Sequence, residues 1–401
     1  MILWSQTSWS ANLKTWGYVA WWLPNGWKTV SLQNIDRLLI FDFPIDKEGR
    51  LTQTRGWPEN WSELRHASKQ KKIPIDLTLS LLDEPTFAQV FGSKEAVDRL
   101  IQETLALSQD EAVNGIHLDV EIYGQISEPL LQSFRNFVKK LSIALKFLPQ
   151  PRSLSVFVPA GSEVPIYDSF TLAEIDYVVM QSYDAHWAEG PIAGPIAPLH
   201  GESAAAWKNA SVNGQKLGLA ASNILLSFPL YGYEWPVQEP IVGAKTSGKA
   251  ISTTFAPQPI DSLPDMQINI QDRIRKYGLL YDPISDSSYY QYTNEFGKIF
   301  QGWFEDVRSL EKKVNFLKKE NLGGIAFFVL GYDNGEIVSK YHSIKKQNKK
   351  PEKVIEEPSD WRVQKYFPSY QQKKIFMVFS SNLFLFGFLP LFLTIYYLAP
   401  K

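Results

Sequence analysis

One short segment of the sequence carries three ionisable side chains at alternate positions, Asn114-Gly-Ile-His117-Leu-Asp119-Val-Glu121. Alternate residues of a β-strand share a face, so His117, Asp119 and Glu121 are predicted to point one way and the intervening apolar residues the other. Ionisable groups that face a protein interior are costly unless they pair or take part in a reaction. Two neighbouring carboxyl groups could supply a general acid and a charge-stabilising group. A buried structural His–Asp pair beside an incidental Glu is the alternative.

The same residues also allow a metal-site hypothesis. Asp184 and His186 follow a later apolar run. Together with the donors of the first segment they could hold a hard metal ion that activates water. The first segment offers only one histidine, however. We therefore favour a carboxyl pair that works without a metal or a cofactor.

The elements that must position these residues follow a regular alternation. Amphipathic stretches such as Lys94–Ser108 and Glu128–Lys146 separate short apolar runs. Eight strand–helix repeats predict an α/β fold, a (β/α)8 TIM barrel. The predicted strands cover residues 16–22, 37–43, 75–82, 115–123, 153–160, 175–183, 224–233 and 323–332.

The longest gap lies between the seventh and eighth runs. Within it, residues 287–294 and 297–304 flank a short polar break and predict an antiparallel hairpin. We expect a small β-rich insertion on the rim of the barrel at this point.

In such a barrel the chemistry lies at the C-terminal ends of the strands. Those ends carry carboxylates and aromatic rings but no Lys or Arg, which favours a neutral sugar over a phosphate. The side chains are Trp21, Trp22, Asp42, Asp83, Glu84, Asp119, Glu121, Tyr123, Tyr183, Asp184, Tyr231, Tyr233, Glu234, Trp235, Tyr332 and Asp333.

Composition excludes several functional classes. The 401 residues include 41 Lys and Arg against 42 Asp and Glu, so no net positive charge supports nucleic-acid binding. There is no cysteine, which excludes disulfides, a cysteine nucleophile and thiolate metal sites.

The C-terminal part of the sequence predicts a membrane anchor. Residues 375–399 contain no charged residue, and a helix of about 20 residues crosses a hydrocarbon core. Lys374 precedes this span and Tyr396 lies near its far end, as interfacial anchors do. We predict a barrel domain over 1–342, a polar linker over 343–374 and a single transmembrane helix over 375–399. Lipid is thus an expected partner.

The side of the membrane on which the barrel domain lies is a separate question. Many Lys and Arg residues precede the span and only Lys401 follows it. The N-terminus has no apolar signal segment. Both features favour the cytoplasmic side for the barrel domain. That side conflicts with an extracellular polymer as substrate.

The segment around Glu121 resembles the strand-four signature of glycoside hydrolase family 18, the chitinases and related N-acetylglucosaminidases. That signature is Asp-x-x-Asp-x-Asp-x-Glu. The sequence matches it at Asp119 and Glu121 and departs from it at Asn114 and His117. Other segments resemble the family in the same order, over residues 14–340. They are Gly17-Tyr18 with Trp21-Trp22, Tyr183-Asp184, Pro229-Leu-Tyr231-Gly232, and Trp303-Phe-Glu305-Asp306 with Ser309, Lys313 and Gly323-Gly324.

The resemblance implies a reaction and a role for each matching residue. In this family the acetamide group of the substrate attacks the anomeric carbon. Glu121 would be the general acid, Asp119 would bind the acetamide N–H, and Tyr183 would bind its oxygen. Asp184 would support the site. We expect His117 to donate a hydrogen bond to Asp119 and keep it ionised, which would in turn keep Glu121 protonated.

The resemblance also implies the ligand, a polymer or oligosaccharide with 2-acetamido groups such as chitin or peptidoglycan glycan. The last matching segment is most similar to bacterial members that act on peptidoglycan-type glycans. Phe328 takes the position of a Trp that forms the floor of the sugar site, so we expect a smaller floor. A sugar-binding protein without activity is the alternative, although such members usually lose the acid. The side chains expected to contact sugar are Trp21, Trp22, Gln181, Tyr231, Trp235 and Phe328.

Overall fold

The computed structural model describes residues 13–161, 164–256 and 268–347. Within them, eight parallel strands close into a barrel in the order β1-β14-β7-β6-β5-β4-β3-β2, as predicted. Strands are numbered in chain order. The barrel strands are β1 Lys14–Ala20, β2 Arg37–Pro44, β3 Ile75–Leu81, β4 Val113–Val120, β5 Ser153–Val158, β6 Tyr177–Met180, β7 Ile224–Pro229 and β14 Gly324–Phe328.

Helices cover the outside of the barrel. The two helices predicted from amphipathic periodicity, Lys94–Ser108 and Glu128–Lys146, have the predicted bounds. The helices are α1 Ser62–Lys71, α2 Glu84–Phe91, α3 Lys94–Ser108, α4 Glu128–Lys146, α5 Ser169–Leu172, α6 Trp207–Lys216, α7 Ile270–Tyr277, α8 Val307–Glu320 and α9 Glu336–Lys345.

The insertion is larger than the predicted hairpin. The hairpin itself is confirmed, since β12 and β13 pair antiparallel. Within the described residues these strands belong to a six-stranded sheet in the order β10-β9-β8-β13-β12-β11. The additional strands are β8 Tyr231–Val237, β9 Ile251–Thr254, β10 Ile268–Asn269, β11 Leu280–Asp282, β12 Ser287–Thr293 and β13 Ile299–Phe304.

The seventh predicted strand, 224–233, is therefore wrong in its second half. The chain leaves the barrel at Leu230, whose N–H donates to the Phe328 carbonyl at 2.7 Å and whose side chain is buried. Tyr231 already pairs with Thr254 in the inserted sheet. Pro229 has no N–H to continue a ladder, which fits a strand that ends there.

The two faces of β4 separate as predicted. The apolar residues between the ionisable ones pack into the layer between strands and helices. The barrel interior is lined instead by large rings and small residues that include Trp16, Tyr18 and Phe157. The ionisable face of β4 thus points into the barrel.

An ion pair at the N-terminal end of the barrel strands explains why residue 115, near the start of β4, is a glycine. Arg37 contacts Asp76 at 2.5 Å, and the Asp76 side chain is fully buried. A Cβ at position 115 would lie 2.3 Å from Ser153 Oγ and 2.6 Å from Asp76 Oδ1. Gly115 therefore lets β4 pass this ion pair without a steric clash.

The C-terminal boundary of the barrel differs slightly from the prediction. Helix α9 continues to Lys345, three residues past 342, because Lys345 Nζ donates to the Leu13 carbonyl at 3.0 Å and to Thr15 Oγ1 at 2.6 Å. Among the residues that the structure describes, no helix is long and apolar enough to cross a membrane. The predicted span at 375–399 lies outside the described residues and stays a prediction, as does the linker beyond residue 347.

Candidate active site

The barrel opens at its C-terminal end into a cavity of about 320 Å³. Glu121 lies at its wall, one residue past the end of β4, where its N–H still bonds to the Leu81 carbonyl at 2.9 Å. Tyr183 and Asp184 line the same cavity from the end of β6. The structure therefore brings together side chains that lie more than sixty positions apart in the sequence.

His117 lies deepest on the β4 face and is fully buried. Its Nε2 shares a hydrogen bond with Tyr18 Oη at 2.9 Å, and its Nδ1 shares one with Ser155 Oγ at 2.8 Å. Burial, aided by the charge of Arg37, lowers the pKa of His117 to about 3. The ring is therefore neutral at physiological pH, and both of its nitrogens have partners other than Asp119. The prediction that His117 donates to Asp119 and keeps it ionised is wrong.

The surroundings of Asp119 also disfavour its charged form, contrary to the prediction that it is kept ionised. It is 5% exposed, and its Oδ1 is buried without a hydrogen-bond partner among the described residues. Burial raises the pKa of Asp119 well above its usual range, and the charges of Glu121 and Asp42 add to this. A hydrogen bond links the Asp119 and Glu121 carboxyl groups. Each of these effects favours the protonated form of Asp119.

Glu121 is the more accessible member of this pair. The Tyr123 hydroxyl donates to Glu121 Oε2 at 3.0 Å. Burial raises the pKa of Glu121, the hydrogen bond from Tyr123 lowers it, and the charge of Asp184 raises it again. The net result is a carboxyl group with a raised pKa, as a general acid requires.

Asp184 closes the opposite side of the cavity. Its backbone is left-handed, with φ 58°. The Tyr231 hydroxyl donates to Asp184 Oδ1 at 2.7 Å. Burial raises the pKa of Asp184 to about 6, although hydrogen bonds from Tyr231 and Tyr233 lower it. Hydrogen bonds therefore hold the Asp184 carboxylate in position, although burial removes it from water and disfavours its charged form.

The floor of the cavity is aromatic. Phe328 stacks on Tyr183 with ring centroids 5.9 Å apart and an angle of 21° between the rings. Phe41 meets Phe328 edge-on at 5.6 Å. An apolar floor beneath polar walls is suited to a sugar ring, which has apolar C–H faces and polar edges.

Comparison with known proteins agrees with this geometry. The model of the family described as glycosyl hydrolases family 18 matches residues 14–333. This chain belongs to that family.

Relatives are found among bacterial enzymes of spores. The chain is 23% identical to the cortical fragment-lytic enzyme of Bacillus subtilis (strain 168), over 67% of this chain and 60% of the relative. It is 24% identical to the enzyme of the same name from Bacillus cereus, over 73% of this chain and 64% of the relative. The chain thus spans slightly less than two thirds of the length of these relatives.

Solved structures share the barrel. The spore cortex-lytic enzyme SleL of Bacillus cereus superposes with a TM-score of 0.63 at 19% identity, over 82% of this chain and 74% of that one. A family GH18 chitinase from Cycas revoluta in complex with (GlcNAc)3 superposes with a TM-score of 0.66 at 18% identity, over 83% and 99% of the two chains. At this identity the likeness establishes a common fold.

The cavity includes most of the predicted sugar contacts. Trp22, Gln181, Tyr231 and Phe328 all line it. The Gln181 side-chain oxygen accepts the Ala160 N–H at 2.7 Å, so its NH2 group is the part left for a ligand. Tyr233, Ser252 and Tyr332 also line the cavity and were not among the predicted contacts.

Two predicted contacts lie elsewhere. Trp235 is fully buried in the inserted sheet, where its Nε1 donates to the Trp187 carbonyl at 3.3 Å. It has no exposed face on which a sugar could stack. Trp21 is 40% exposed but lies outside the cavity, with the Arg55 guanidinium 4.4 Å from its ring centre.

The metal-site hypothesis finds no support in the geometry. Among the described residues no group of three or more His, Asp or Glu side chains converges as metal ligands would. Both nitrogens of His117 are already hydrogen-bonded, so this ring has no nitrogen left for a metal ion. These residues do not fit a metal centre.

Sequence inspection missed two residues beside the site. Tyr123 was noted at a strand end without a role, and only the structure shows its bond to Glu121. Arg55 lies eleven residues past the end of β2, so no strand-end pattern indicates it.

Proposed function

We propose that this protein is a glycosidase that hydrolyses β-linked 2-acetamido glycans with retention of configuration. The observation that carries the proposal is the position of the carboxyl pair: buried Asp119 lies next to Glu121, and Glu121 lines the same cavity as Tyr183. Membership of glycosyl hydrolases family 18 supports it, because that family uses the acetamide group of its substrate as the nucleophile.

In this mechanism the substrate sugar stacks on Phe328 with its acetamide group directed towards Asp119. Glu121 protonates the glycosidic oxygen, the bond from that oxygen to the anomeric carbon breaks, and the acetamide oxygen attacks the same carbon. Asp119 accepts the acetamide N–H and stabilises the cationic oxazolinium ring, while the Tyr183 hydroxyl orients the acetamide oxygen. Water then opens the ring, and the Glu121 carboxylate accepts its proton.

The protonation states of the free protein fit this sequence of steps. Burial favours the protonated form of Asp119, which is the more deeply buried of the two groups. An acetamide N–H that arrives at Asp119 favours its ionised form. The proton then moves to Glu121, where the leaving group can take it. On this proposal, substrate binding itself protonates the general acid, Glu121.

The test is the substitution Glu121→Gln, which keeps size and hydrogen bonding but removes the transferable proton. Loss of general acid–base help costs about 10²- to 10⁴-fold in rate. We expect a loss of this size with the tetramer of N-acetylglucosamine, and a smaller loss with its 4-nitrophenyl glycoside, whose leaving group needs less protonation. Both rates are measured by product analysis on the full-length protein.

A matched control is Glu84→Gln. Glu84 lies at the start of α2, exposed to solvent and outside the cavity. This variant should retain the wild-type rate. Wild-type turnover in Glu121→Gln would contradict the assignment. Binding of the tetramer by the wild-type protein without any hydrolysis would instead favour a sugar-binding protein.

We further propose that residues 375–399 anchor the barrel domain to a membrane. The uncharged span after a polar, lysine-rich linker supports this. The full-length protein should require detergent for extraction, whereas a fragment of residues 1–347 should be soluble and folded. A full-length protein that stays soluble without detergent, together with a fragment that aggregates, would contradict the anchor.

A further inference from the structure

Arg55 brings a positive charge to the rim of the active-site cavity from the loop between β2 and α1. Its guanidinium group lies 4.4 Å from the ring centre of Trp21. The Trp21 ring lies 5.5 Å from that of Trp22, and Trp22 lines the cavity. The rings of Trp21 and Trp22 therefore lie between the cation and the cavity.

The conformation of Arg55 is fixed by its surroundings. Its backbone is left-handed, with φ 52°, which is unfavourable for a residue with a long side chain. The Trp61 indole N–H donates to its carbonyl at 3.1 Å. Nε donates to the Asp42 carbonyl at 3.3 Å, Nη2 to Asp42 Oδ1 at 3.2 Å, and Nη1 to Gln53 Oε1 at 2.8 Å.

These contacts leave part of the guanidinium group available. It has five N–H donors, and three of them are used by Asp42 and Gln53. The remaining two, one on each terminal nitrogen, have no partner among the described residues. The side chain is 21% exposed, so a ligand can reach it. Paired N–H donors on one planar group match the two oxygens of a carboxylate.

Arg55 is not the only residue that holds the Asp42 carboxylate in place. Asp42 accepts a hydrogen bond from Ser80 Oγ at 2.5 Å as well as one from Arg55, so its carboxylate does not depend on Arg55 alone. A neutral glycan offers no carboxylate to the two remaining donors. Trp21 is 40% exposed, so its ring is accessible to a sugar.

We propose that Arg55 and Trp21 form a subsite for a sugar that carries a carboxylate, next to the sugar bound in the cavity. This rests on the proposed glycosidase function and specifies its substrate class. The substrate is a glycan in which a 2-acetamido sugar is followed or preceded by an acidic one. The carboxylate is that of a lactyl ether, as in peptidoglycan glycan, or that of a uronic acid.

The test compares glycans that differ only in this charge. The first is a tetramer of alternating N-acetylglucosamine and N-acetylmuramic acid, and the second is its methyl ester, which has the same shape without the charge. A third, alternating N-acetylglucosamine and glucuronic acid, distinguishes the two sources of carboxylate. A charge-assisted hydrogen bond corresponds to roughly tenfold to a hundredfold in KM. We expect the full-length protein to show a KM lower by this factor for the acid than for its ester.

The substitution Arg55→Gln should abolish the ratio of KM values between acid and ester, and Arg55→Lys should reduce it, because lysine keeps the charge but lacks the paired donors. Arg50→Gln is the matched control, since Arg50 lies in the same loop and its side chain is 47% exposed. This control should leave the ratio unchanged. Arg55→Lys also serves as the test if Arg55→Gln does not fold.

Two results would overturn the subsite. One is equal KM values for the N-acetylmuramic acid tetramer and its methyl ester in the wild-type protein, together with no lower KM for the glucuronic acid glycan than for the ester. The other is a loss of activity in Arg55→Gln that is equal for acid and ester, which would mean that Arg55 only holds Asp42 in place. Failure of the proposed function is distinguishable from both, because the wild-type protein would then cleave none of these glycans nor the neutral tetramer.

Discussion

Removal of one hydroxyl group, in Tyr123→Phe, should move the pH dependence of the reaction. The Tyr123 hydroxyl donates to Glu121 Oε2 at 3.0 Å and thereby favours the ionised form of Glu121. A hydrogen bond to a charged group contributes about 1.5–3 kcal/mol when it is shielded from water. Tyr123 is 43% exposed, so water replaces part of this contribution. About 1 kcal/mol remains, which corresponds to roughly one unit of pKa or slightly less.

The direction of the change follows from the same contact. Without the donor, the pKa of Glu121 rises and the general acid keeps its proton to higher pH. The descending limb of the kcat/KM profile should therefore move to higher pH by roughly one unit. The other charged or titratable groups that face Glu121 remain in place in this variant: Asp119, Asp184, Tyr18 and Tyr183.

The assay is a pH series of initial rates on an activated glycoside with the full-length protein. Tyr289→Phe, which removes a hydroxyl from a tyrosine stacked on Trp303 in the inserted sheet, should leave the profile unchanged. A descending limb that stays in place in Tyr123→Phe, or that moves to lower pH, would refute the argument.

The remaining predictions concern stability and are measured by urea unfolding. Asp184→Asn should stabilise the protein at pH 7 by up to about 3 kcal/mol, because ionising a carboxyl group whose pKa is raised to about 6 opposes folding; the gain should shrink as the pH falls from 6 towards 4. His117 should contribute a loss of stability as the pH drops below about 6.5, because the unfolded state protonates it while the folded state keeps it neutral down to about 3. Asp184 acts in the opposite direction over this range, so the contribution of His117 is measured as the difference between the wild type and His117→Gln at each pH. Lys313→Met should cost about 3–5 kcal/mol by leaving Glu305, its fully buried partner at 2.5 Å, without a counter-charge.

Much of the architecture follows from local patterns that act over a few residues. The periods of 2 and 3.6 identify the faces of β4 and the bounds of Lys94–Ser108. The break at Leu230 is different, because an apolar run does not show which sheet each half of it joins. Pairing of Tyr231 with Thr254 decides that, and it depends on residues far along the chain.

Some residues of the candidate site were likewise predictable from the sequence, whereas others depend on tertiary contacts. Asp119 and Glu121 were predicted as a pair because alternate residues of a strand share a face, and Tyr183 was added to them by the resemblance to the family. The state of His117 was not predictable, since it depends on Tyr18 and Ser155, which reach it from other strands. Trp235 looked equally suited to a rim or a core, and only tertiary packing places it in the core.

The contact of Lys345 with the start of β1 has a consequence for how the chain can be cut and rejoined. Lys345 Nζ reaches the Leu13 carbonyl, so the two ends of the described barrel lie side by side. A short linker between residues 347 and 13 could therefore join them. New ends could then be opened at Phe296, which is 84% exposed at the tip of the hairpin between β12 and β13. Such a circularly permuted barrel should fold and keep its cavity, because every strand retains its neighbours.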